Sequence, residues 1–388
     1  MNILHITAGV GKSSFGVAPV VMGLARQQQA LGHNVQIWHT DTRENELWAS
    51  EYSGLDISTF RSFPTVGPGN IYYSPAMESA AADQDSARFD ILHHHGMWLG
   101  ISRATIRWRK VHSKPTIIAP HGMLESCALK QSSLKKKLAY LFFERTNIQG
   151  ASCLHACSEL ESNNLRAFGL NNYIKIIPNG IDQSWIDSAG NGARFRNRFV
   201  IPDNAFVVLF LGRLAPIKRI PLLLDSFNSI KDDCPYMRLV LAGSGTEEYV
   251  NSLKKIIQEY NIESRVIFTG PLYDQDKRDA FAASNVTVLP SYSENFGIFV
   301  AESLAVGVTA IATKGTPWSE LETNSCGWWV EPDAQSLSQA LKNAALLTDN
   351  ESVGMGLRGR NLVESKYTWL KCGETSVEVY STILKGAS

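Results

Sequence analysis

The sequence predicts an α/β protein built on two parallel sheets in tandem, each layered with helices. Three observations predict it. Short β-branched apolar runs recur along the 388 residues, helical stretches lie between them, and the cycle restarts near residue 206. The runs are nearly continuous in apolar residues rather than alternating, as strands covered on both faces are. At roughly 150 residues per domain, the length fits two domains.

In the first half the runs are Asn2–Ile6, Asn34–His39, Asp90–His94, Thr116–Ala119, Ser152–Ala156 and Ile174–Ile177, each bounded by Gly, Pro, Ser or His. In the second half they are Phe206–Leu211, Arg238–Leu241, Arg265–Phe268, Val286–Leu289 and Thr309–Ala312. Helical patterns fall between them, among them Pro19–Leu31, Ile220–Ile230, Glu248–Glu259 and Asp276–Ala283. A polar, Gly-containing stretch from Gln183 to Arg198 separates the two cycles. The expected domains are 1–182 and 183–366. Two such Rossmann-like domains are expected to face each other across a cleft, with ligands at the carboxyl ends of the strands.

Composition narrows the function. Lys+Arg and Asp+Glu are both 37, so the net charge is zero, which argues against a general nucleic-acid binder. Hydrophobic residues at 44% and aromatics at 10% exclude a disordered chain. The six cysteines form no Cys-x-x-Cys pair and read as reduced thiols. The start, Met-Asn-Ile-Leu-His, lacks the basic and long apolar regions of a signal peptide, and no apolar run approaches the length of a membrane span. The expectation is a soluble cytoplasmic protein.

The first strand runs into Thr7-Ala-Gly-Val-Gly-Lys-Ser-Ser-Phe-Gly16. This is not a phosphate loop, because Ile6 stands where the first glycine belongs. It is not a dinucleotide fingerprint either, because Ser14 replaces the third glycine. It remains a strand-to-helix loop whose amides are suited to a phosphate, or an ordinary turn. After Val286–Leu289 come Glu294 and Glu302, with seven residues between them. Glu294 falls at a strand end and Glu302 about two helical turns on, hence on a similar face. Asn295, Phe296 and Gly297 between them offer helix-start amides to an anion, and carboxylates accept well from sugar hydroxyls.

Gly212-Arg213 and Lys218 follow Phe206–Leu211 and place two cations on one loop, apt for a diphosphate. Gly243 lies in a second short glycine turn, Ala242-Gly-Ser-Gly245. His121 follows Thr116–Ala119, and His93, His94 and His95 end the strand before it. Strand neighbours point to opposite faces, so the triple run does not converge, and polar lining is favoured over a metal. Asp274-Gln-Asp276 suits a helix start better than a metal. Lys135-Lys-Lys137 precedes an apolar segment, which fits either an anionic membrane surface or a half-buried helix.

Together these residues resemble the retaining glycosyltransferases of family GT4, with the two-domain GT-B architecture. The resemblance rests on the N-terminal loop, Ala119-Pro-His-Gly122, Pro178-Asn-Gly-Ile-Asp182, Gly212-Arg213 with Lys218, Ala242-Gly-Ser-Gly245 and the Glu294/Glu302 pair. Thr313-Lys-Gly-Thr-Pro-Trp318 and Cys326-Gly-Trp-Trp-Val330 are like segments of members that build bacterial surface polysaccharides.

The resemblance implies that Arg213 and Lys218 hold the donor diphosphate and take the place of a metal, so no cofactor is expected. It implies that Glu294 meets donor-sugar hydroxyls beside the amides of Asn295, Phe296 and Gly297, and that Glu302 meets the ribose. Backbone near Leu272 would meet the base, Gly212 and Gly243 would shape the donor site, Gly16 would admit the donor phosphates, and His121 would line the reaction centre. Helix 367–388 would return to the first domain.

The implied partners are a UDP- or GDP-sugar and a lipid-linked glycan acceptor, with a peripheral membrane contact through Lys135–Lys137 at the inner face and no nucleic acid. Phe15, where the family has glycine, is a departure that bears on the loop and on acceptor choice. The rival readings are a nucleotide-sugar epimerase of the same fold and a catalytically silent nucleotide-sugar binder.

Overall fold

A computed structural model describes residues 1–14, 16–68 and 71–386. Phe15 lies outside the described residues. The chain divides into two compact units, one of residues 1–180 with the helix Trp369–Gly386, the other of residues 181–368.

The first unit carries strands β1 (Asn2–Ile6), β2 (Asn34–His39), β3 (Phe60–Ser62), β4 (Ile91–His95), β5 (Thr116–Ala119), β6 (Cys153–Ala156) and β7 (Ile174–Ile176). They form one sheet in the order β3-β2-β1-β4-β5-β6-β7, parallel at every pairing. The second unit carries β8 (Phe206–Leu211), β9 (Met237–Ala242), β10 (Val266–Gly270), β11 (Val286–Leu289), β12 (Thr309–Thr313) and β13 (Gly327–Val330). Their order is β10-β9-β8-β11-β12-β13, again all parallel. Both sheets are doubly wound. The strand order reverses between β1 and β4 and between β8 and β11, and these switch points are where such sheets bind ligands.

The apolar runs become strands because helices cover both faces of each sheet. Val207, Val208, Leu209 and Phe210 are wholly buried in succession, which only a two-sided layer achieves. The helix Trp369–Gly386 belongs to the first unit's core, where Trp369, Cys372, Val379 and Tyr380 pack with Ile3, Val21 and Ile177. Glycines make room for it. A Cβ on Gly23 would fall 2.4 Å from the Trp369 ring, and one on Gly180 would fall 2.6 Å from it.

Two strands, β3 and β13, escape the sequence pattern because they are only three and four residues long. The polar stretch from Gln183 to Arg198 is also not a plain linker. It forms short helices at Ser184–Asp187 and Gly192–Arg198, the second capped by the Asn191 side chain accepting from the Arg194 amide at 2.9 Å. Its glycines serve close packing, since a Cβ on Gly190 would sit 2.1 Å from the Arg278 carbonyl oxygen.

Candidate active site

In the second unit the loops after β8, β9, β10 and β11 carry the candidate residues. Gly212 donates to Ala242 O at 2.9 Å, Gly243 to Gly270 O at 2.9 Å, and Leu214 to Ser244 O at 2.8 Å, so the first three loops are stitched edge to edge. The approach is close enough to require glycine. Gly243 has φ +147°, and a Cβ there would lie 1.8 Å from Gly212 O. An open groove of about 390 Å³ follows these loops, walled by Arg213, Leu214, Pro216, Ser244, Gly245 and Tyr249. Arg213 is exposed and makes no ion pair among the described residues. Leu272 is buried just beyond β10.

Lys218 and Glu294 meet as an ion pair, although 76 residues separate them, and Ser291 Oγ donates to the same Glu294 oxygen at 3.2 Å. The helix beyond starts only at Ile298, after Gly297 at φ +77°. Glu294 therefore precedes the helix and Glu302 lies in its second turn, so the two do not share a helical face as the spacing suggested. The chain needs glycine at 297 for that left-handed turn. Phe296 and Gly297 amides have no hydrogen-bond acceptor among the described residues, and they open toward the helix start with half-buried Asn295 just before them. The Phe296 carbonyl accepts from Trp318 Nε1 at 2.6 Å, which pins this turn. Glu302 is 7% exposed. Its Oε1 accepts from Lys277 Nζ at 2.6 Å, while its buried Oε2 has no partner among the described residues.

Asp276 is engaged elsewhere, paired with Arg198 at 2.9 Å, and Asp274 lies exposed in the first turn of the helix Asp274–Ala282. These positions suit the helix dipole.

In the first unit the loop after β1 departs from expectation. Val10 and Gly11 amides donate to Asp41 Oδ2 at 2.9 and 2.8 Å, so an internal carboxylate occupies the place suggested for a phosphate. Gly16 is exposed with nothing within 4 Å of a Cβ built on it, so the described residues give no internal reason for glycine there.

His121 follows β5 in a left-handed conformation, φ +52°. The turn is held by buried Glu161, whose Oε1 accepts from the Gly122 amide at 2.6 Å and whose Oε2 accepts from the Cys157 amide at 2.7 Å. His93 and His95 share one face of β4, and His94 takes the other, against Thr105 Oγ1 at 2.9 Å. His5, His93 and His95 each bring a nitrogen within 4.8 Å of the others, the one such metal-sized group among the described residues. Each of their six ring nitrogens already has a hydrogen-bond partner inside the protein. The chemistry present is therefore a network rather than an open ligand set.

Burial drives the imidazoles toward the neutral form. It lowers His5 and His155 to about 4 and His94 and His121 to about 3, and it holds His93 and His95 well below the ordinary 6.5. Sequence reasoning missed His5, His155, Asp41, Glu161 and Lys277. Their partners are far apart along the chain, and only the fold brings them together.

No helix among the described residues is long and apolar enough to cross a membrane. The helix Ser133–Ala139 and the turn after it expose Leu134, Leu138, Leu141 and Phe142 beside Lys135, Lys136 and Lys137.

Known proteins bear on these sites. The family Glycosyltransferase Family 4 matches residues 16–185, and Glycosyl transferases group 1 matches residues 193–356. A D-inositol 3-phosphate glycosyltransferase of Kineococcus radiotolerans is 24% identical, over 94% of this chain and 90% of that protein. Among solved structures, Anabaena HepE in complex with UDP has a TM-score of 0.79 at 18% identity, covering 98% of this chain and 100% of that one. WaaG, a glycosyltransferase involved in lipopolysaccharide biosynthesis, has a TM-score of 0.68 at 13% identity, covering 97% of this chain and 99% of that one. These two structures share the fold, and the family matches fall on the two units in turn. The chain is a glycosyltransferase of the GT-B fold, similar to Glycosyltransferase Family 4 over residues 16–185 and to Glycosyl transferases group 1 over residues 193–356.

Proposed function

We propose that the enzyme transfers a sugar, with retention and without a metal, from a nucleotide-diphosphate donor to a lipid-linked glycan in surface-polysaccharide assembly. The observation that carries the donor half is Glu302, a buried carboxylate with one oxygen held by Lys277 and the other unpartnered among the described residues. Such an acceptor, left without a donor, suits a vicinal diol. Glu302 binds the ribose in this reading, and Leu272 backbone lies toward the base. Arg213 and Lys218 receive the charge that builds on the departing diphosphate, assisted by the Phe296 and Gly297 amides. Glu294, oriented by Lys218 and Ser291, holds donor-sugar hydroxyls. His121 lines the acceptor side. The UDP complex of HepE supports a uridine donor over a guanosine one.

The exposed apolar row beside three lysines supports contact with an anionic lipid surface at the inner face of a cytoplasmic membrane. A second reading, a small phosphorylated cyclitol as acceptor, is favoured by the activity for which the Kineococcus relative is named.

A thermal-shift series with UDP, GDP and their sugar conjugates, with and without a strong chelator, tests the donor. One diphosphate is expected to raise the melting point whether or not the chelator is present. A shift that vanishes with chelator and returns with magnesium would remove the metal-free reading. Flotation with vesicles containing anionic lipid tests the membrane contact, with Leu141→Ser/Phe142→Ser expected to stay in the soluble fraction. D-inositol 3-phosphate and a lipid extract, offered separately as acceptors, decide between the two acceptors.

A further inference from the structure

Beneath the first sheet's β1, β4, β5 and β6, a continuous chain of buried side chains leads away from half-buried His121, and the proposed reaction uses none of them but His121 directly. His121 Nε2 lies 3.0 Å from His95 Nδ1, and His95 Nε2 lies 2.9 Å from His5 Nδ1. His5 Nε2 lies 2.8 Å from Gln28 Oε1. Gln28 Nε2 lies 3.1 Å from both Ser376 Oγ and Tyr380 OH. Tyr380 OH lies 2.6 Å from His93 Nδ1, His93 Nε2 lies 3.2 Å from His155 Nδ1, and His155 Nε2 lies 2.6 Å from Ile177 O. The chain thus runs from a strained loop residue, His121, through the returning C-terminal helix to a backbone carbonyl.

That carbonyl sets the direction of every bond. A carbonyl only accepts, so His155 Nε2 carries the proton and its Nδ1 is bare. His93 must then donate from Nε2, which leaves its Nδ1 to accept from the Tyr380 hydroxyl. Tyr380 has spent its one proton, so its oxygen accepts from the Gln28 amide nitrogen. Gln28 consequently turns its carbonyl to His5, the orientation found in the structure. The opposite amide orientation would set two acceptors, Oε1 and the tyrosine oxygen, against each other. His5 donates from Nε2 to Gln28, His95 donates from Nε2 to His5, and His121 donates from Nε2 to His95. His5, His93, His95 and His155 each use one donor and one acceptor, and His121 uses its donor, so every bond of the chain is made with every ring neutral. Burial in an apolar sheet layer keeps them so.

We propose that this chain locks His121 as the Nε2–H tautomer, so that its Nδ1 meets substrate only as a hydrogen-bond acceptor, with Gln28 as the positioning residue that sets the polarity. Nδ1 of His121 has no partner among the described residues. The group it receives must bring a proton. A hydroxyl fits, whereas a ring position bearing a ketone, a carboxylate or fluorine does not. His121 then cannot donate a proton from Nδ1 to the leaving group. The polarity of the chain stands on the hydrogen-bond geometry together with the neutrality that burial imposes on the rings. Its meaning for substrate choice rests on the placement of His121 at the reaction centre.

The test is long-range proton–nitrogen NMR on the full chain with ¹⁵N-labelled histidine at pH 7, which reads the tautomer of each ring directly. His5, His93, His95, His121 and His155 are expected as Nε2–H. An Nδ1–H signal or a cationic ring at His121, or a metal on His5, His93 and His95, overturns the proposal. Gln28→Met removes the acceptor for His5 and leaves the Ile177 anchor in place. In that variant His5, His95 and His121 are expected to show mixed tautomers while His93 and His155 stay Nε2–H. A general loss of packing would disturb all five, and unchanged tautomers at His121 would remove Gln28 from its role. Should Gln28→Met not fold, the wild-type spectrum decides alone. His121→Ala turnover separates the two layers. Normal kcat and KM there would discard the placement of His121 at the reaction centre and leave the tautomer result standing.

Discussion

Lys218 and Arg213 share a loop but not an electrostatic state. Lys218 is held against Glu294, while Arg213 lines the groove wall without an ion pair among the described residues. Both are expected to act on diphosphate charge as it develops, so Arg213→Ala and Lys218→Ala should each lower kcat by about 100- to 1,000-fold. Initial rates with saturating donor measure it, and rates within a few-fold of wild type would remove the assignment. Lys218→Ala should also weaken donor-sugar binding, because Glu294 loses the cation that orients it. The residue types and the loop were legible in the sequence, since two cations after a strand and a glycine carry their own chemistry. The pairings were not. Lys277 on Glu302 and Asp41 on the Val10 and Gly11 amides join residues whose separation along the chain has no periodicity to read.

Strands and helices are where the sequence spoke most clearly. Eleven of the runs it marks coincide with strands to within about two residues at each end, because unbroken β-branched segments between turn residues have few other uses. Only Phe60–Ser62 and Gly327–Val330, three and four residues long, fall below that signal. The glycine turns were visible as letters, yet their purpose is steric. Gly243 must pass within touching distance of Gly212 at a backbone angle that side chains avoid. Gly243→Ala should therefore cost more than the roughly 1 kcal/mol of an ordinary glycine substitution. Urea unfolding of the second unit, residues 181–368, reads it directly. An unchanged midpoint would show that the β8 and β9 loops part more easily than their geometry implies.

Across the whole molecule, charge is balanced but histidine is not. All nine histidines lie in residues 5–155, so the second unit has none. His5, His93, His94, His95 and His155 are buried and folded in the neutral form, with pKa values depressed below the free value. The unfolded chain binds protons that the folded one refuses. Their contribution is therefore intact above about pH 6.5 and drains away as pH falls toward 4 and below. Each such group adds to the loss as pH falls below the free imidazole value, and all five lie in the first unit. Acid titration followed by near-UV circular dichroism should show the first unit unfolding well before the second. A single transition below pH 4 would contradict it.

The helix Trp369–Gly386 has one more consequence, for the order of events during synthesis. It supplies Trp369 and Tyr380 to a core otherwise made of residues 3–177. A ribosome delivers residues 181–368 in between, and that contiguous segment holds its own core. The half of the enzyme translated first is thus the half completed last. Until its closing helix emerges, its sheet waits with an uncovered apolar face, a nascent intermediate of the kind that chaperones attend.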